Sequence, residues 1–226
     1  MDTMEQQLAD AAEQLGLGIT DDQRTTLIAY LGQMQRWNKT YNLTAVRDPE
    51  QMLVQHIIDS LSVVRPLQDG TGGTSGTDGN INARTVADVG SGGGLPGVVL
   101  AVMCPHWQIH CIDAVEKKTA FVRQMASVLR LPNLHAVHAR IEKLPSLKAD
   151  IIVSRAFASL ADFAALSGRH LADDGKLAAM KGRLPADEIT TLEAGTQWRV
   201  EKVQTLHVPY LDAQRCLVWI SRQGNL

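Results

Sequence analysis

Long apolar runs, paired cysteines and a surplus of either charge are all missing from this chain of 226 residues. No apolar stretch approaches the roughly 20 residues that a bilayer-spanning helix needs, and no secretory leader is read at the start, so no membrane partner is expected. The three cysteines, Cys104, Cys111 and Cys216, are odd in number, apolar in setting and without metal-ligand spacing. They predict a reducing, cytoplasmic setting and no metal site. Lys and Arg total 22 against 24 Asp and Glu, a net charge of −2. Nothing global declares a nucleic-acid partner, and any RNA contact must come from a local basic patch. What is left is an ordinary globular composition, long enough to bury a sizeable core as one domain with an appendage.

The most informative stretch runs from Thr85 to Gly97, TVADVGSGGGLPG. An apolar run (Val86, Ala87, Val89) carries one acid, Asp88, and opens into glycines at 90, 92, 93 and 94 before Leu95, Pro96 and a second apolar run. That order reads as strand, tight turn and first helical turn, with Pro96 near the helix start, where its missing N–H would be an orphan anyway. Such a turn lets a ligand approach the backbone closely and offers it free N–H groups. Gly92-x-Gly94-x-x-Gly97 matches the dinucleotide fingerprint, but weakly. The glycines begin earlier, at Gly90, and Asp88 just before them would oppose a pyrophosphate while suiting a ligand with positive charge, such as S-adenosylmethionine. DVGSGGG thus resembles the first motif of the Rossmann-type methyltransferases.

A second acid, Asp113, ends the apolar run that begins at Trp107 and lies 19 residues beyond Gly94. The spacing is close to the roughly 20 residues at which an acid on the next strand takes ribose hydroxyls, and capping of the helix near Glu116 is the rival reading.

Along the chain, residues 3–15 predict a short helix, Thr20 or Asp21 caps a second one (Leu27, Tyr30, Leu31, Met34), and Asp48-Pro49 opens a third presenting Leu53, Ile57, Leu61 and Val64. Residues 1–67 are therefore expected to be a helical extension. Gln68 to Arg84, rich in Gly, Ser and Thr, is read as a flexible linker. Residues 85–226 then alternate strand and helix, which favours parallel pairing by right-handed crossovers. Only Val208 to Gln214 separates the last two strands, 198–207 and 215–221, too short a connection for a helical crossover, so that pair should be antiparallel. The expected fold is α/β, a mostly parallel Rossmann-type sheet closed by a C-terminal antiparallel hairpin.

Three polar groupings carry two readings each. Trp37 to Thr44, WNKTYNLT, just past the second helix, is either a pocket or nucleic-acid element with aromatic faces for stacking, or a buried Trp with turn-forming Asn residues. His56, Asp59 and Ser60 share one helix face and form a poor nucleophile triad; a packing cluster tying the extension to the sheet is preferred. Arg155, after the fourth strand, is a surface cation or a site residue, and Lys181, ending the next strand, is similar; both lie at the ligand edge of this architecture. No Pro-Pro-aromatic turn follows the fourth strand, which argues against exocyclic-amine methylation, and no Cys motif suggests a C5 methylase. A nicotinamide oxidoreductase would want a proton-relay His or Tyr, and none stands out.

WNxxYNLT, VRDP, HIIDS, DVGSGGGLPG, RIEKLP, SRAFASL, KG and VPYLDAQRCLV, in this order, resemble the bacterial glucose-inhibited division protein B family over nearly the whole chain. The stretch 68–84 is longer than the family's usual connection and lies outside these motifs. The resemblance implies a methyltransferase of 16S ribosomal RNA in the small subunit, acting on N7 of one guanine near the decoding site. It makes Gly90 and Leu95 contacts to S-adenosylmethionine, adds Ile141 and Glu142 at the adenine end, and sets Arg155 at the target side; Asp88, Gly92, Gly94 and Asp113 complete the expected cofactor set. N7 of guanine has an in-plane lone pair and no proton, so no acid or base residue is expected, and catalysis reduces to alignment. Arg155 and Lys181 are the expected positioning groups, with Arg36, Lys39, Lys117, Lys118, Arg123 and Arg183 as a phosphate rim. A monomer is expected. A non-catalytic RNA-binding assembly factor that keeps the cradle is the alternative.

Overall fold

The computed structural model describes residues 3–70 and 83–223. The chain begins with helices α1 (Thr3–Gln14) and α2 (Asp21–Tyr41), then a broken helix of α3 (Pro49–Met52), a π turn (Leu53–Ile58) and α4 (Asp59–Leu61), and α5 (Val64–Asp69). Thr20 caps α2 in a reciprocal capping box with Gln23, and Asp48 accepts from the Gln51 N–H at 2.9 Å with Pro49 in the first turn. Both starts satisfy N–H groups that would otherwise be orphans. The helix α2 runs further than its composition predicts. Trp37 to Tyr41 are its last turns rather than a loop beyond it, because Trp37 packs on Tyr41 at 4.8 Å and on Phe121 at 5.3 Å between ring centroids. Asn38 then bonds Thr44 N and Val46 O, the turn-forming role of the second reading.

Strands β1 (Arg84–Val89), β2 (Trp107–Asp113), β3 (Leu134–His138), β4 (Ala149–Ser154), β5 (Leu171–Lys181), β6 (Trp198–Leu206) and β7 (Arg215–Arg222) form one sheet in the order β3-β2-β1-β4-β5-β7-β6. The first five pair in parallel, while β7 is antiparallel to both β5 and β6. The helices α6 (Gly97–Met103), α7 (Glu116–Val128), α8 (Leu160–Ser167) and α9 (Ala186–Gly195) complete the crossovers. The winding direction reverses between β1 and β4, and a crevice opens beyond their carboxyl ends, the usual ligand position in such sheets.

Central strands are apolar on both faces, as parallel strands covered on two sides must be. Val86, Ile151 and Val153 turn to one core and Ala87 and Ile152 to the other. The first core also holds Leu8, Leu27, Leu31, Met34, Leu53 and Ile57 with Val98, Phe121 and Met125, so the N-terminal helices are not a separate globule. They lie on α6 and α7 and share the core of one sheet face. At the expected linker, Gln68 and Asp69 are still helical and Arg84 already opens β1. Arg84 donates to the carbonyls of Leu67 and Gln68 and lies over the Trp107 ring. Residues 71–82 of that stretch lie outside the described residues. Among the described residues no helix is long and apolar enough to cross a membrane, and no group of three or more His, Cys, Asp or Glu is arranged to hold a metal ion.

Candidate active site

The loop after β1 is held from behind. Gly90 and Ser91 donate to the Ile112 carbonyl, the buried Tyr30 hydroxyl donates to Gly93 O at 2.6 Å, and Gly92 N donates to Asp113 Oδ2 at 2.9 Å. Gly90 has φ +71°, and a Cβ there would sit 2.7 Å from the Cβ of Ala156, two residues past β4. Both features require glycine and bring the two loops together at a waist.

A cavity opens on each side of that waist, with Gly90 and Ala156 lining both. One, of about 300 Å³, is lined by Asp113 from β2, Ile141 and Glu142 from the turn after β3, and Ile112, Phe157 and Leu166. It is a mostly apolar slot bordered by two carboxylates, Asp113 and Glu142, and by Arg140, the size and character of a nucleoside site. Asp113 uses one oxygen on Gly92 N and the other on Val115 N; each oxygen keeps a further lone pair for a hydroxyl donor. Its amide bonds thus combine part of the capping reading with a position open to a ribose.

The other cavity, of about 510 Å³, is lined by Ser91, Gly92, Leu95, Met34, Leu43, Thr44, His56, Asp59, Arg155, Lys181 and Arg215, among others. Asp59, with 5% of its side chain exposed, is divided between two arginines: Arg155 Nη1 donates to Oδ2 at 3.0 Å and Arg215 Nε to Oδ1 at 2.9 Å. Lys181 is bound to Glu188 at 2.8 Å and donates to the Phe157 carbonyl. His56 Nε2 lies 2.8 Å from Thr44 Oγ1, and burial, reinforced by the Arg155 charge, lowers its pKa to about 4. It is neutral at neutral pH and weakly basic. Burial raises the Cys216 thiol, so it carries no thiolate to use as a nucleophile.

Two residues expected at the ligand face turn away from it. Asp88 is fully buried beneath the loop, where Oδ2 accepts the Gly97 N–H at 2.8 Å, and burial pushes its pKa up to about 7 against that hydrogen bond. It braces the start of α6 and lines neither cavity. Gly94, at φ +94°, faces Val98 and Val122, where a Cβ would come within 2.6 Å of the Val98 side chain; its glycine serves packing. Gly90, Gly92, Leu95, Asp113, Ile141, Glu142, Arg155 and Lys181 all line one cavity or the other. Of the six cations expected to form a rim, none lines either. Arg36 and Lys39 border a separate depression of about 390 Å³ together with Arg47, while Lys117, Lys118 and Arg123 are on α7 and Arg183 follows β5. Among the described residues none of the six makes an ion pair.

Arg215 carries no role in the sequence reading, and Asp59 carries only a packing one. The antiparallel register pairs Lys181 with Cys216, so the start of β7 reaches the sheet edge that already holds Lys181. That consequence of the hairpin was the available signal for Arg215.

A doubly wound sheet with an antiparallel last strand, a glycine loop at the switch point and a nucleoside-sized slot joined to a second cavity define a Rossmann-type, S-adenosylmethionine-dependent methyltransferase. Solved structures agree on the fold. A SAM-dependent methyltransferase from Aquifex aeolicus matches with a TM-score of 0.54 and 18% identity, covering 76% of this chain and 97% of that one. A putative S-adenosyl-L-methionine-dependent methyltransferase from Methanococcus maripaludis matches at 0.54 and 17%, covering 87% and 93%. Within that class, the family model for rRNA small subunit methyltransferase G matches residues 23–218, and the chain belongs to that family, GidB. Ribosomal RNA small subunit methyltransferase G of Bordetella petrii is 61% identical over 220 residues, 97% of this chain and 84% of the relative. The protein of the same name from Bordetella pertussis is 57% identical over 222 residues, 98% and 95%.

Proposed function

We propose that this chain transfers the methyl group of S-adenosylmethionine to N7 of a single guanine of 16S ribosomal RNA, in the cytoplasm and as a monomer. The observation that carries the choice of atom is the lack of a competent base in the larger cavity, among its described lining residues. His56 is held at about 4, Asp59 is shared by two guanidiniums and Lys181 is paired with Glu188. An acceptor that must lose a proton, such as an exocyclic amine, finds each of these side chains already engaged by another group of the protein. Guanine N7 needs none.

The cofactor supplies a methyl group activated by a sulfonium. The chain's part is to hold the donor and acceptor in line, a positional contribution. Asp113 takes the ribose hydroxyls, Ile141 and Glu142 border the adenine, and Gly90, Gly92 and Leu95 border the methionine end. The waist at Gly90, which a single Cβ would close, fits a thin linkage between nucleoside and amino acid. Arg155 and Lys181 position the acceptor.

Arg36, Lys39, Lys117, Lys118, Arg123 and Arg183 meet RNA phosphates outside the cleft. Lys117 and Lys118 occupy the first turn of α7, where positive charge opposes the helix dipole; helix stability does not account for them. Charge reversal of three of the six should weaken RNA binding and flatten its salt dependence, and an unchanged slope would remove the rim from this reading.

The direct experiment is methyl transfer from labelled S-adenosylmethionine to small subunits from cells lacking this protein, with mapping of the labelled base. Label at N7 of one guanine is expected. Calorimetric binding of the cofactor without any label would leave an assembly factor that retains the cradle.

A further inference from the structure

Arg155 and Arg215 approach Asp59 in an unusual way. A carboxylate and a guanidinium can form two parallel hydrogen bonds, the fork geometry that uses the pairing capacity of both. Here neither does: Arg155 uses only Nη1 on Asp59, and Arg215 only Nε. The other protein acceptors are the Gln55 carbonyl for Arg155 Nη1 and the Gln214 carbonyl for Arg215 Nη1. Arg155 Nε and Nη2 and Arg215 Nη2 have no hydrogen-bond partner among the described residues, and each side chain is 26% exposed and lines the larger cavity. Two cations share one anion, and Asp59 is the sole acid among the cavity's described lining residues. The group therefore carries a surplus positive charge with free donors.

Asp59 reaches this position through a local irregularity. It directly follows the π turn Leu53–Ile58, and a π turn contains one residue more than the α-helical turn it replaces. Each residue of an α-helix turns it by about 100°, so without the extra residue Asp59 would face another direction. Such turns concentrate at functional sites.

We propose that Asp59 is a positioning residue that spreads Arg155 and Arg215 into a two-armed receptor for one oxyanion in the acceptor half of the cleft. The inference rests on the methyltransferase reading above. Two oxyanions reach this half of the cleft, the carboxylate of the cofactor's methionine end and the phosphate of the nucleotide presented for methylation, and the experiment separates them.

The variants are Arg215→Gln, Arg215→Lys and Asp59→Asn in the full chain. The readouts are the cofactor Kd by calorimetry, KM and kcat for small subunits, and calorimetric binding of guanosine 5′-monophosphate against guanosine. Loss of a charge-assisted hydrogen bond corresponds to about a tenfold to hundredfold weakening. If the phosphate is the ligand, Arg215→Gln raises KM by that factor with kcat nearly constant, lowers the salt slope by about one, and abolishes the preference for the monophosphate over guanosine. If the carboxylate is the ligand, the cofactor Kd rises instead. Arg215→Lys keeps the charge but loses the fork and recovers only part of either effect. Asp59→Asn moves the same constant as Arg215→Gln, although Asp59 touches neither ligand; should Asp59→Asn fail to fold, the two Arg215 variants decide. A folded Arg215→Gln protein with both constants within twofold of the wild type overturns the receptor. Absence of methyl transfer by the wild type overturns the functional reading separately, because both calorimetric comparisons remain interpretable without turnover.

Discussion

Substituting Gly90 by Ala tests the cleft at its narrowest point. The residue sits at φ +71°, and its added Cβ would lie 2.7 Å from Ala156 Cβ. Holding Ala in a left-handed conformation costs about 1–2 kcal/mol. The contact distance falls about 1 Å short of a comfortable carbon–carbon separation, and relieving such an overlap adds about 1–3 kcal/mol. The sum, about 2–5 kcal/mol, leaves most proteins folded and lowers Tm by roughly 5–15 °C in a chain of this size. Gly92→Ala is the matched control: φ is +59° and nothing lies within 4 Å of its Cβ, so only the dihedral term applies, about 1–2 kcal/mol. Thermal melts should therefore separate the two variants, while calorimetry with S-adenosylmethionine compares Gly90→Ala with the wild type, because Gly92 itself lines the cleft. Gly90→Ala loses more stability, and it also weakens cofactor binding by at least about tenfold, an expectation scaled on the loss of about 1.4 kcal/mol of binding free energy. A Gly90→Ala protein that binds the cofactor with wild-type affinity would refute the idea that the ligand threads the waist between the two cavities.

Tyr30→Phe removes the buried hydrogen bond to Gly93 O and should lower stability by about 1–2 kcal/mol; cofactor affinity should fall with it, because the loop loses its rear support. Asp88 makes stability depend on pH. Its folded pKa is raised from 3.8 to about 7, so between these values the native state holds a proton that the unfolded chain has released, and stability declines as pH rises through about 7. His56, lowered to about 4, and His110 and His170, also lowered by burial, act in the opposite sense as pH rises through their ordinary value of about 6.5. Melts of the wild type and of Asp88→Asn compared from about pH 5 to about pH 8 separate the Asp88 share from that of the histidines: Asp88→Asn should flatten the decline, and a wild-type profile retained in Asp88→Asn would rule out Asp88 as its source. Gly168→Ala would drive a Cβ to within 2.1 Å of the Trp198 indole, and a drop in Tm is expected. Gly195→Ala at the end of α9 meets nothing within 4 Å and should raise stability by about 0.4–1 kcal/mol through the unfolded state.

What the sequence made legible follows local rules. The caps at Thr20 and Asp48, the doubly buried runs of β1 and β4 and the final hairpin each depend on neighbours a few residues apart. The glycine loop and Asp113 stand at the strand ends where motif spacing puts them, whereas the turn at Ile141 and Glu142, which borders the same slot, is implied by the family resemblance alone and reads locally as a charged surface turn. The rest depends on contacts between distant parts of the chain. The extra turns of α2 are stabilised by Phe121, no composition announces the π turn, and Arg215 meets Asp59 across 156 positions. Asp88 and Gly94 carry the right residue types for a ligand loop, but they face its underside. A motif states that a loop is tight; it does not state which of its groups point inward.

The sheet order has a consequence for how the molecule is made. Strand β7 lies between β5 and β6, although both precede it in the chain. During synthesis from the N-terminus, β5 and β6 emerge while the strand that joins them is still missing, and the sheet on that side cannot pair. The glycine loop, Asp113 and the turn after β3 have all been made by then, but Arg215 and Cys216 have not. The nucleoside slot is therefore complete in sequence before the acceptor cavity is, and both cores wait for β7, which brings Leu217 and Trp219 to one and Val218 and Ile220 to the other.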